Sequence, residues 1–397
     1  MCKGGCRITT AARPSDVTLA NWDLGGEPSA WTYLHAGELL GSTEIPTLGP
    51  EAPLASAEAP EAAGFLVEPG VTLDEYVAHG PVSGIVVVRR GTVVYERYPR
   101  MAPDDRHLLM SVSKVFASVL IGMLEERGAI DLRSAVDAII PGLEGSGWDG
   151  VPVRDVLDMA SGIGCLEDAP GAYSDPGHPF YRFEASLGWR PAHSPATTYA
   201  YVAGLPSHRP HGEVFEYTSV NTFVLSWLVE RVTGTSYAEM LRREIWSRAG
   251  FEAPAQLCSS PAGAPASHGG LSMRLRDLAR FGMLFTPSAG RVTSAQIITA
   301  AHLRRIHAGA RRELHREPAG AQPEEVASAF GGERPPASRQ WDLAIDDGDL
   351  FKGGFGGQGL YISPARDVVV AFAGTPLPDG SSNRLRWMSR PLALALA

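Results

Sequence analysis

Cysteine is scarce in this sequence of 397 residues, and the few that occur exclude most disulfide and metal frameworks. Cys2, Cys6, Cys165 and Cys258 are irregularly spaced, and the Cys2/Cys6 pair lacks the second half of a zinc site. We therefore expect four free thiols, no metal site and no other cofactor.

An excess of positive charge is also lacking. The 35 Lys and Arg residues are outnumbered by 44 Asp and Glu residues, which gives a formal net charge of -9. Such a chain has no field that would attract nucleic acid or an anionic membrane. We expect neither of these partners, and a protein that is a monomer or a homodimer.

Long hydrophobic runs are absent as well. Residues 1–17 contain no apolar run that could form the core of a signal peptide, and no stretch approaches the length needed to span a bilayer. Hydrophobic residues nevertheless make up 44% of the chain, which suffices to bury one large core or two fused ones. We expect a cytoplasmic protein whose catalytic unit has two lobes.

Strand and helix patterns fill most of the chain. Residues 83–98, SGIVVVRRGTVVYERY, place two β-branched runs around a polar Arg-Arg-Gly turn and so predict a β-hairpin. Apolar residues at three- and four-residue spacing predict helices over residues 112–127, 153–159, 219–233, 237–247 and 275–285. The chain closes with two predicted strands and a helix, over residues 358–363, 367–373 and 384–397.

The order of these elements indicates the fold class. Strands at both ends with helices between them predict an α+β fold, in which an antiparallel sheet is flanked by helices and a mostly helical lobe is inserted. We assign residues 67–397 to one catalytic domain, with its α/β lobe at about 67–130 and 340–397 and its helical lobe at about 131–339. Residues 311–339, rich in Glu, Arg, Pro and Gly, are predicted to form a mobile insertion.

Residues 1–66 form an N-terminal segment outside this domain. We expect its aromatic side chains, Trp22, Trp31 and Tyr33, to pack on the body of the protein. Residues 47–63 are rich in Ala, Pro and Glu, which is typical of a surface connection.

The first candidate for chemistry is the motif Ser111-Val112-Ser113-Lys114. A serine hydroxyl is a weak nucleophile at neutral pH and needs a base within hydrogen-bond reach. With Ser111 as the first residue of the helix, Lys114 lies one turn on, on the same face, and its amine can reach back to the hydroxyl. The helix N-terminus favours negative charge beside Ser111. The same four residues also fit a helix-capping serine followed by a solvated lysine.

A tyrosine stands just ahead of the second apolar helix, in Phe215-Glu216-Tyr217-Thr218-Ser219. A lysine cation near Tyr217 would lower the pKa of its phenol and let it relay the proton of the serine. The alternative is a buried core aromatic whose hydroxyl is satisfied by a hydrogen bond.

A glycine-rich segment, Lys352-Gly353-Gly354-Phe355-Gly356-Gly357-Gln358, comes immediately before a predicted strand. Tetrahedral intermediates need two backbone donors aimed at the oxyanion, and glycines let a substrate carbonyl approach the backbone closely. We expect those donors to be the amides of Ser111 and Phe355. A turn that is merely rich in glycine is the other interpretation.

Together these segments resemble the group of class C β-lactamases, family VIII carboxylesterases and 6-aminohexanoate-dimer hydrolases. The resemblance runs from about Thr18 to Ala373, is nearest to the dimer hydrolases, and implies a β-lactamase/penicillin-binding-protein-like fold. Further segments that carry it are Leu19-Ala20-Asn21-Trp22, Asp158-Met159-Ala160-Ser161-Gly162, Gly188-Trp189-Arg190 and Arg276-Asp277-Leu278-Ala279-Arg280.

The resemblance implies a role for each candidate residue. Ser111 would be acylated, and Lys114 and Tyr217 would share the proton transfers of both half-reactions. In the dimer hydrolases, a tyrosine and an acidic residue on a long loop hold the substrate, and they correspond to Tyr173 and Glu184. The acidic residue is Glu here, whereas the efficient amide-cleaving relatives have Asp. The implied substrate-binding residues are Tyr173, Glu184, Ser219, His268 and Gly356.

The sequence departs from the β-lactamases at two motifs. Their Lys-Thr-Gly motif is absent, with residues 354–358 in its place, and Lys352 does not obviously occupy the position of its lysine. Ser219 stands where the β-lactamases have Asn. Without the lysine and threonine that recognise the substrate carboxylate, efficient β-lactam hydrolysis is not expected.

Three functions remain open at this point. The leading hypothesis is a serine acyl hydrolase that cleaves a small amide or ester through an acyl-enzyme. The alternative is an acyltransferase that needs no ATP, in which an amine acceptor in place of water attacks the same intermediate. A non-catalytic binding module or sensor is less favoured, because Ser111, Lys114 and Tyr217 are all retained.

Overall fold

The computed structural model describes residues 13–191, 197–315 and 334–397. Cys2, Cys6 and most of the predicted insertion fall outside these ranges. The two remaining cysteines, Cys165 and Cys258, are buried free thiols, as predicted for them.

Most strands are short, and the longer ones lie near the two ends of the chain. They are β1 (Ser42–Ile45), β2 (Ala55–Ser56), β3 (Leu66–Glu68), β4 (Val71–Thr72), β5 (Val82–Arg89), β6 (Thr92–Arg97), β7 (His107–Leu108), β8 (Ala255–Cys258), β9 (Leu271–Met273), β10 (Leu343–Ala344), β11 (Leu350–Gly354), β12 (Gln358–Ser363) and β13 (Val368–Gly374).

The helices occupy mainly the middle of the chain. They are α1 (Gly26–Leu40), α2 (Pro60–Ala63), α3 (Leu73–His79), α4 (Lys114–Glu126), α5 (Val136–Ile139), α6 (Val153–Leu157), α7 (Pro179–Ser186), α8 (Thr198–Ala203), α9 (Ser219–Thr233), α10 (Tyr237–Leu241), α11 (Leu275–Met283), α12 (Ala300–Ala308) and α13 (Leu385–Ala395). Short 3₁₀ turns are found at Met110–Ser113, Pro141–Leu143, Pro287–Arg291 and Arg312–His315, and a π-helical turn at Arg242–Trp246. No helix within the described ranges is long and apolar enough to cross a membrane.

A seven-stranded sheet forms the centre of the fold, with strand order β10-β11-β12-β13-β5-β6-β2. Its strands pair antiparallel except for β2 and β6, which are parallel. The predicted hairpin is β5 and β6, and its two turn residues, Arg90 and Gly91, have positive φ angles of 49° and 75°. This is the requirement of a tight two-residue hairpin turn. The α+β prediction with an antiparallel sheet and helices between its strands is confirmed.

Strand β5, an inner strand of this sheet, is buried on both faces, so the sheet separates two hydrophobic cores. Val86 and Val88 belong to the larger core, together with side chains of α4 and α11. Ile85 and Val87 belong to the smaller core, together with side chains of α3 and α13. This alternation follows from the two-residue period of a strand.

A second sheet, with strand order β1-β8-β9-β7, was not predicted. Its strands have two to four residues, too few for an alternating pattern to stand out in the sequence. The sheet matters for function because β7 leads directly into the Ser111 motif. The Leu109 amide continues this pairing by donating to the Leu271 carbonyl at 2.8 Å.

The Ser111 motif itself does not begin an α-helix, which corrects the predicted helix over residues 112–127. Ser111 lies in the 3₁₀ turn Met110–Ser113, and α4 starts only at Lys114. Met110 has a φ of 47°, so the chain turns sharply just before the serine. The second apolar helix, over residues 219–233, has the predicted bounds and ends at Gly234 in the left-handed conformation.

The N-terminal segment packs on the body through two of its three expected aromatic anchors. Trp22 and Tyr33 are fully buried. The Trp22 indole donates to the Trp189 carbonyl at 3.0 Å and meets the Trp189 ring edge-on at 5.5 Å. Trp31 instead stacks on His35 at 4.7 Å. The division of the chain at residues 66 and 67, and of the domain into two lobes, stays a prediction.

Candidate active site

The Ser111 motif brings its serine and lysine together in spite of the 3₁₀ turn. Lys114 Nζ lies 3.1 Å from Ser111 Oγ. The Lys114 side chain is fully buried, so its interpretation as a solvated helix residue is wrong. A buried amine within hydrogen-bond reach of a hydroxyl is the arrangement that nucleophilic catalysis needs.

Lys114 makes two further hydrogen bonds, to Ser219 Oγ at 2.8 Å and to the His268 carbonyl at 3.0 Å. Burial lowers the pKa of Lys114 to about 8; the Glu167 carboxylate opposes this shift, and the nearby Lys352 cation adds to it. A substantial fraction of the lysine is therefore the neutral amine just above neutral pH. Only that form can accept the proton of Ser111.

Tyr217 lies between the two lysines of the site. Lys352 Nζ donates to Tyr217 Oη at 3.0 Å. Lys114 Nζ and Lys352 Nζ also lie over the Tyr217 ring, at 5.1 and 4.7 Å from its centroid. The structure thus brings Tyr217 together with Lys114 and Lys352, and a part of the tyrosine in proton transfer stays a prediction.

The expected lowering of the Tyr217 pKa is wrong. Burial raises the pKa of Tyr217 well above its ordinary value, and the Asp342 and Glu167 carboxylates raise it further, whereas a hydrogen bond with Ser111 lowers it. Burial and two anions outweigh the neighbouring cations. Tyr217 is therefore a protonated phenol in the resting site, suited to donate a proton rather than to accept one.

Lys352, which had no clear role in the sequence, belongs to this site. It lies on β11, is fully buried, and forms an ion pair with Asp342 Oδ1 at 2.5 Å. The second oxygen of Asp342 accepts from the Gly353 amide at 2.9 Å. Sequence reasoning missed Asp342 altogether. The available signal for Lys352 was its place directly before the paired glycines at the strand edge.

Glu167 is the other site residue that the sequence did not reveal. Its side chain is buried, and its Oε2 accepts from Ser219 Oγ at 2.6 Å. Ser219, expected to bind substrate, is thus bonded on both sides, because its Oγ also accepts from Lys114. The predicted contact of Ser219 with substrate stays a prediction.

The glycine-rich end of β11 lies against the turn that carries Ser111. A Cβ atom on Gly354 would come within 2.5 Å of the Leu109 carbonyl oxygen. Phe355 follows in the tight turn between β11 and β12. Glycine is needed here because the two backbone segments approach each other closely. The assignment of the Ser111 and Phe355 amides as oxyanion donors stays a prediction.

Gly356 is constrained by packing. It has a φ of 89°, and a Cβ atom there would come within 2.7 Å of Pro376 Cδ and 3.0 Å of the Tyr33 hydroxyl. These contacts explain the glycine without a ligand. A substrate contact at Gly356 stays a prediction.

Tyr173 and Phe355 form an exposed aromatic pair. Their rings stack with centroids 6.0 Å apart, and the two residues are 37% and 40% exposed. Phe180 supports Tyr173 from beneath in an edge-on contact at 5.1 Å. Because Phe355 directly follows Gly354, this pair lies near the turn that carries Ser111, and both rings are accessible from solvent. The predicted role of Tyr173 in substrate binding is compatible with this position.

Glu184 lies in a buried ion cluster with Arg190 and Asp23. Arg190 Nε donates to Glu184 Oε2 at 2.6 Å, and its two terminal nitrogens donate to Asp23 at 3.0 and 2.5 Å. Burial raises the pKa of Glu184 to about 7, against the effect of Arg190. The cluster ties α7 to the N-terminal segment. A substrate-binding role for Glu184 stays a prediction.

His268 contacts the site through its backbone as well as its ring. Its carbonyl accepts from Lys114, and its ring lies 5.1 Å from both Phe183 and Trp189. Neither ring nitrogen has a hydrogen-bond partner in the described part of the chain. Burial lowers the pKa of His268 well below its ordinary value, so the ring is neutral. A substrate-binding role for His268 stays a prediction.

Comparison with known proteins identifies the family of this chain. The family model described as Beta-lactamase matches residues 72–395. The chain belongs to the beta-lactamase family. Within it, the 6-aminohexanoate-dimer hydrolase of Paenarthrobacter ureafaciens is 32% identical over 382 residues, which cover 93% of this chain and 91% of that protein. The chain is therefore a β-lactamase-fold hydrolase related to that enzyme, and the predicted resemblance is confirmed.

Solved structures of other proteins show the same fold. A Bacillus anthracis protein, provisionally named a 6-aminohexanoate-dimer hydrolase, matches with a TM-score of 0.78 at 24% identity and covers 96% of both chains. EstCE1, "a hydrolase with promiscuous acyltransferase activity", matches with a TM-score of 0.57 at 15% identity, over 81% of this chain and 96% of that one. These similarities confirm the predicted β-lactamase-like fold.

Proposed function

We propose that this beta-lactamase family member is a serine acyl hydrolase that cleaves a small amide or ester through an acyl-enzyme on Ser111. The observation that carries the proposal is the buried Lys114 amine, 3.1 Å from Ser111 Oγ. Its lowered pKa makes the amine available as a base near neutral pH.

The acylation step follows from the positions of three side chains. Ser111 Oγ attacks the substrate carbonyl carbon while Lys114 Nζ takes the hydroxyl proton. Tyr217, a protonated phenol held by Lys352, then donates a proton to the leaving nitrogen or oxygen. The Ser111 and Phe355 amides would stabilise the tetrahedral oxyanion. In deacylation, water attacks the carbonyl of the acyl-enzyme ester and gives a proton to the Tyr217 phenolate, while the Lys114 ammonium returns its proton to Ser111 Oγ as that oxygen leaves.

Lys352 changes one argument about the substrate. The sequence-based reasoning treated the lysine of the Lys-Thr-Gly motif as lost, but Lys352 stands in the site. Its amine is already bonded to Asp342 and Tyr217, and the next residue is Gly353, which has no hydroxyl. We therefore still propose a linear amide or ester in place of a β-lactam. The name of the Paenarthrobacter relative, which refers to a dimer of an amino acid, favours an amide.

Acyl transfer to an amine is the second candidate. The exposed aromatic pair Tyr173 and Phe355 favours it, because the two rings offer an apolar surface beside Ser111 on which an amine acceptor can pack. The acyltransferase activity named for EstCE1 shows that the fold accommodates such a reaction in another protein. A non-catalytic binding role is disfavoured by the retained contact between Lys114 and Ser111.

The acceptor can be tested directly. The enzyme would be incubated with a p-nitrophenyl ester and a panel of primary amines, and the acid and amide products quantified. Acid as the main product at millimolar amine supports the hydrolase. Amide formed faster than acid would contradict it and establish acyl transfer. The cytoplasmic location, and a monomeric or homodimeric state, remain predictions.

A further inference from the structure

A buried carboxylate lies behind the catalytic lysine, connected to it by one hydroxyl. Lys114 Nζ donates to Ser219 Oγ at 2.8 Å, and Ser219 Oγ donates to Glu167 Oε2 at 2.6 Å. Ser219 is 2% exposed and Glu167 is 8% exposed, so solvent does not replace either bond. With Ser111 at 3.1 Å on the other side of Lys114, four residues form one hydrogen-bonded chain.

We propose that Glu167 is a positioning residue that takes a proton from Lys114 through the Ser219 hydroxyl and so prepares the lysine to act as a base. This proposal rests on the proposed function, in which Lys114 activates Ser111. It gives Ser219 a part in the proton path.

The transfer balances without any further reactant. One Nζ–H bond of the Lys114 ammonium breaks as the proton moves to Ser219 Oγ. The original O–H bond of Ser219 breaks as its proton moves to Glu167 Oε2. Lys114 is then a neutral amine and Glu167 a neutral carboxylic acid, while Ser219 is again a hydroxyl. Separated charge is removed from a buried site, which favours the neutral pair.

The surroundings of the two groups determine where the proton resides. The Lys114 ammonium is also influenced by Lys352, Asp342 and Glu184, and it lies near the Tyr217 ring and His268. Glu167 is also influenced by Lys352 and Asp168 and lies near Tyr173 and Cys165. Burial raises the pKa of Glu167 while it lowers that of Lys114, so both shifts favour the transfer. The two groups titrate as a pair.

Glu167→Gln tests the relay with little change of shape, and Asp168→Asn is the matched control. Asp168 is the next residue and is exposed, so its substitution removes the same charge outside the hydrogen-bonded chain. The acylation rate would be measured from pH 6 to 10 by the p-nitrophenol burst. In Glu167→Gln we expect the plateau rate to fall about 10- to 100-fold, because the proton that Lys114 takes from Ser111 can no longer pass through Ser219 to Glu167. The part of the pH profile in which the rate rises should move to lower pH, because the pKa of Lys114 falls when the lysine loses an anionic partner.

Ser219→Ala separates the relay from the charge of Glu167. This variant keeps the Glu167 carboxylate but breaks the hydrogen-bonded path to Lys114. The plateau of the acylation rate should therefore fall by a similar factor, while the rising limb of the pH profile moves less. Asp168→Asn should retain the wild-type plateau rate, because Asp168 lies outside the hydrogen-bonded chain, and its pH limb should move less than that of Glu167→Gln. Wild-type values in both Glu167→Gln and Ser219→Ala would overturn the proposal. Ser111→Ala should give no burst in any background, and a burst there would overturn the proposed function instead.

Discussion

Lys352→Met removes one partner of a buried ion pair and one hydrogen bond to Tyr217 at the same time. Lys352 is fully buried, and the Asp342 side chain is 15% exposed. After the substitution, the Gly353 amide is the one hydrogen-bond donor to Asp342 that remains within the described ranges. Breaking a buried pair by removing one partner costs about 3–5 kcal/mol of unfolding free energy.

The effect on activity has a separate origin. Lys352 Nζ donates a charge-assisted hydrogen bond to Tyr217 Oη at 3.0 Å. Such a bond contributes about 1.5–3 kcal/mol, so its loss should reduce kcat/KM roughly 10- to 150-fold. Stability and activity therefore fall together in the single variant. Its assay alone does not separate the loss of the ion pair with Asp342 from the loss of the hydrogen bond to Tyr217.

The double variant Lys352→Met/Asp342→Asn separates the two effects. The introduced carboxamide is neutral and can still accept a hydrogen bond from the Gly353 amide, so most of the lost stability should return in a denaturant titration. Activity should stay low, because Tyr217 still lacks its lysine. Recovery of near-normal kcat/KM in the double variant would refute the role assigned to Lys352.

Three further expectations follow from single features of the structure. The acylation rate should rise with pH along a limb with an apparent pKa near 8, because Lys114 is a base only when neutral; a rate independent of pH from 6 to 9 would contradict this. Gly354→Ala should lower kcat/KM more than tenfold, because its Cβ would meet the Leu109 carbonyl. Gly290→Ala is the control and should not lower kcat/KM, because open space surrounds Gly290. Equal kcat/KM values for the two variants would contradict the close approach of Gly354 to Leu109. Trp22→Ala should lower the unfolding free energy by about 3–5 kcal/mol, since the side chain is fully buried; a loss below about 1 kcal/mol would contradict its packing on the body.

The parts of the fold that the sequence predicts are those with strong local patterns. The hairpin around Arg90 and Gly91 combines β-branched runs with a turn that demands positive φ. Helix α9 has an apolar repeat and a glycine at its C-terminal cap. In both elements the conformation that the local sequence prefers is the one found in the fold, so the residue pattern alone is enough to predict them.

Elements with weak local patterns were not predictable. The second sheet consists of strands of two to four residues that gain their stability from pairing with distant segments. The 3₁₀ turn at Ser111 depends on the backbone of Met110, whose positive φ no side-chain pattern indicates. The surrounding tertiary structure therefore decides the local conformation of Ser111.

The candidate site divides in the same way. The pairing of Ser111 with Lys114 is local, because the two residues are three positions apart, and could be predicted from that spacing. Glu167 lies 52 residues from Ser219, and Lys352 lies 135 residues from Tyr217. Nothing in the sequence near Glu167 marks it as part of a site, because only folding brings it to the lysine. The sign of the Tyr217 pKa shift likewise depends on its burial and on carboxylates from distant segments.

The central claim is that Ser111 is acylated, and the mass of a trapped adduct tests it most directly. The protein would be mixed with a fluorophosphonate and, separately, with a slowly hydrolysed ester, then digested and analysed by mass spectrometry. We expect one equivalent of adduct on the peptide that contains Ser111, and none in Ser111→Ala. An adduct on another residue, or turnover of the ester that persists in Ser111→Ala, would contradict the account.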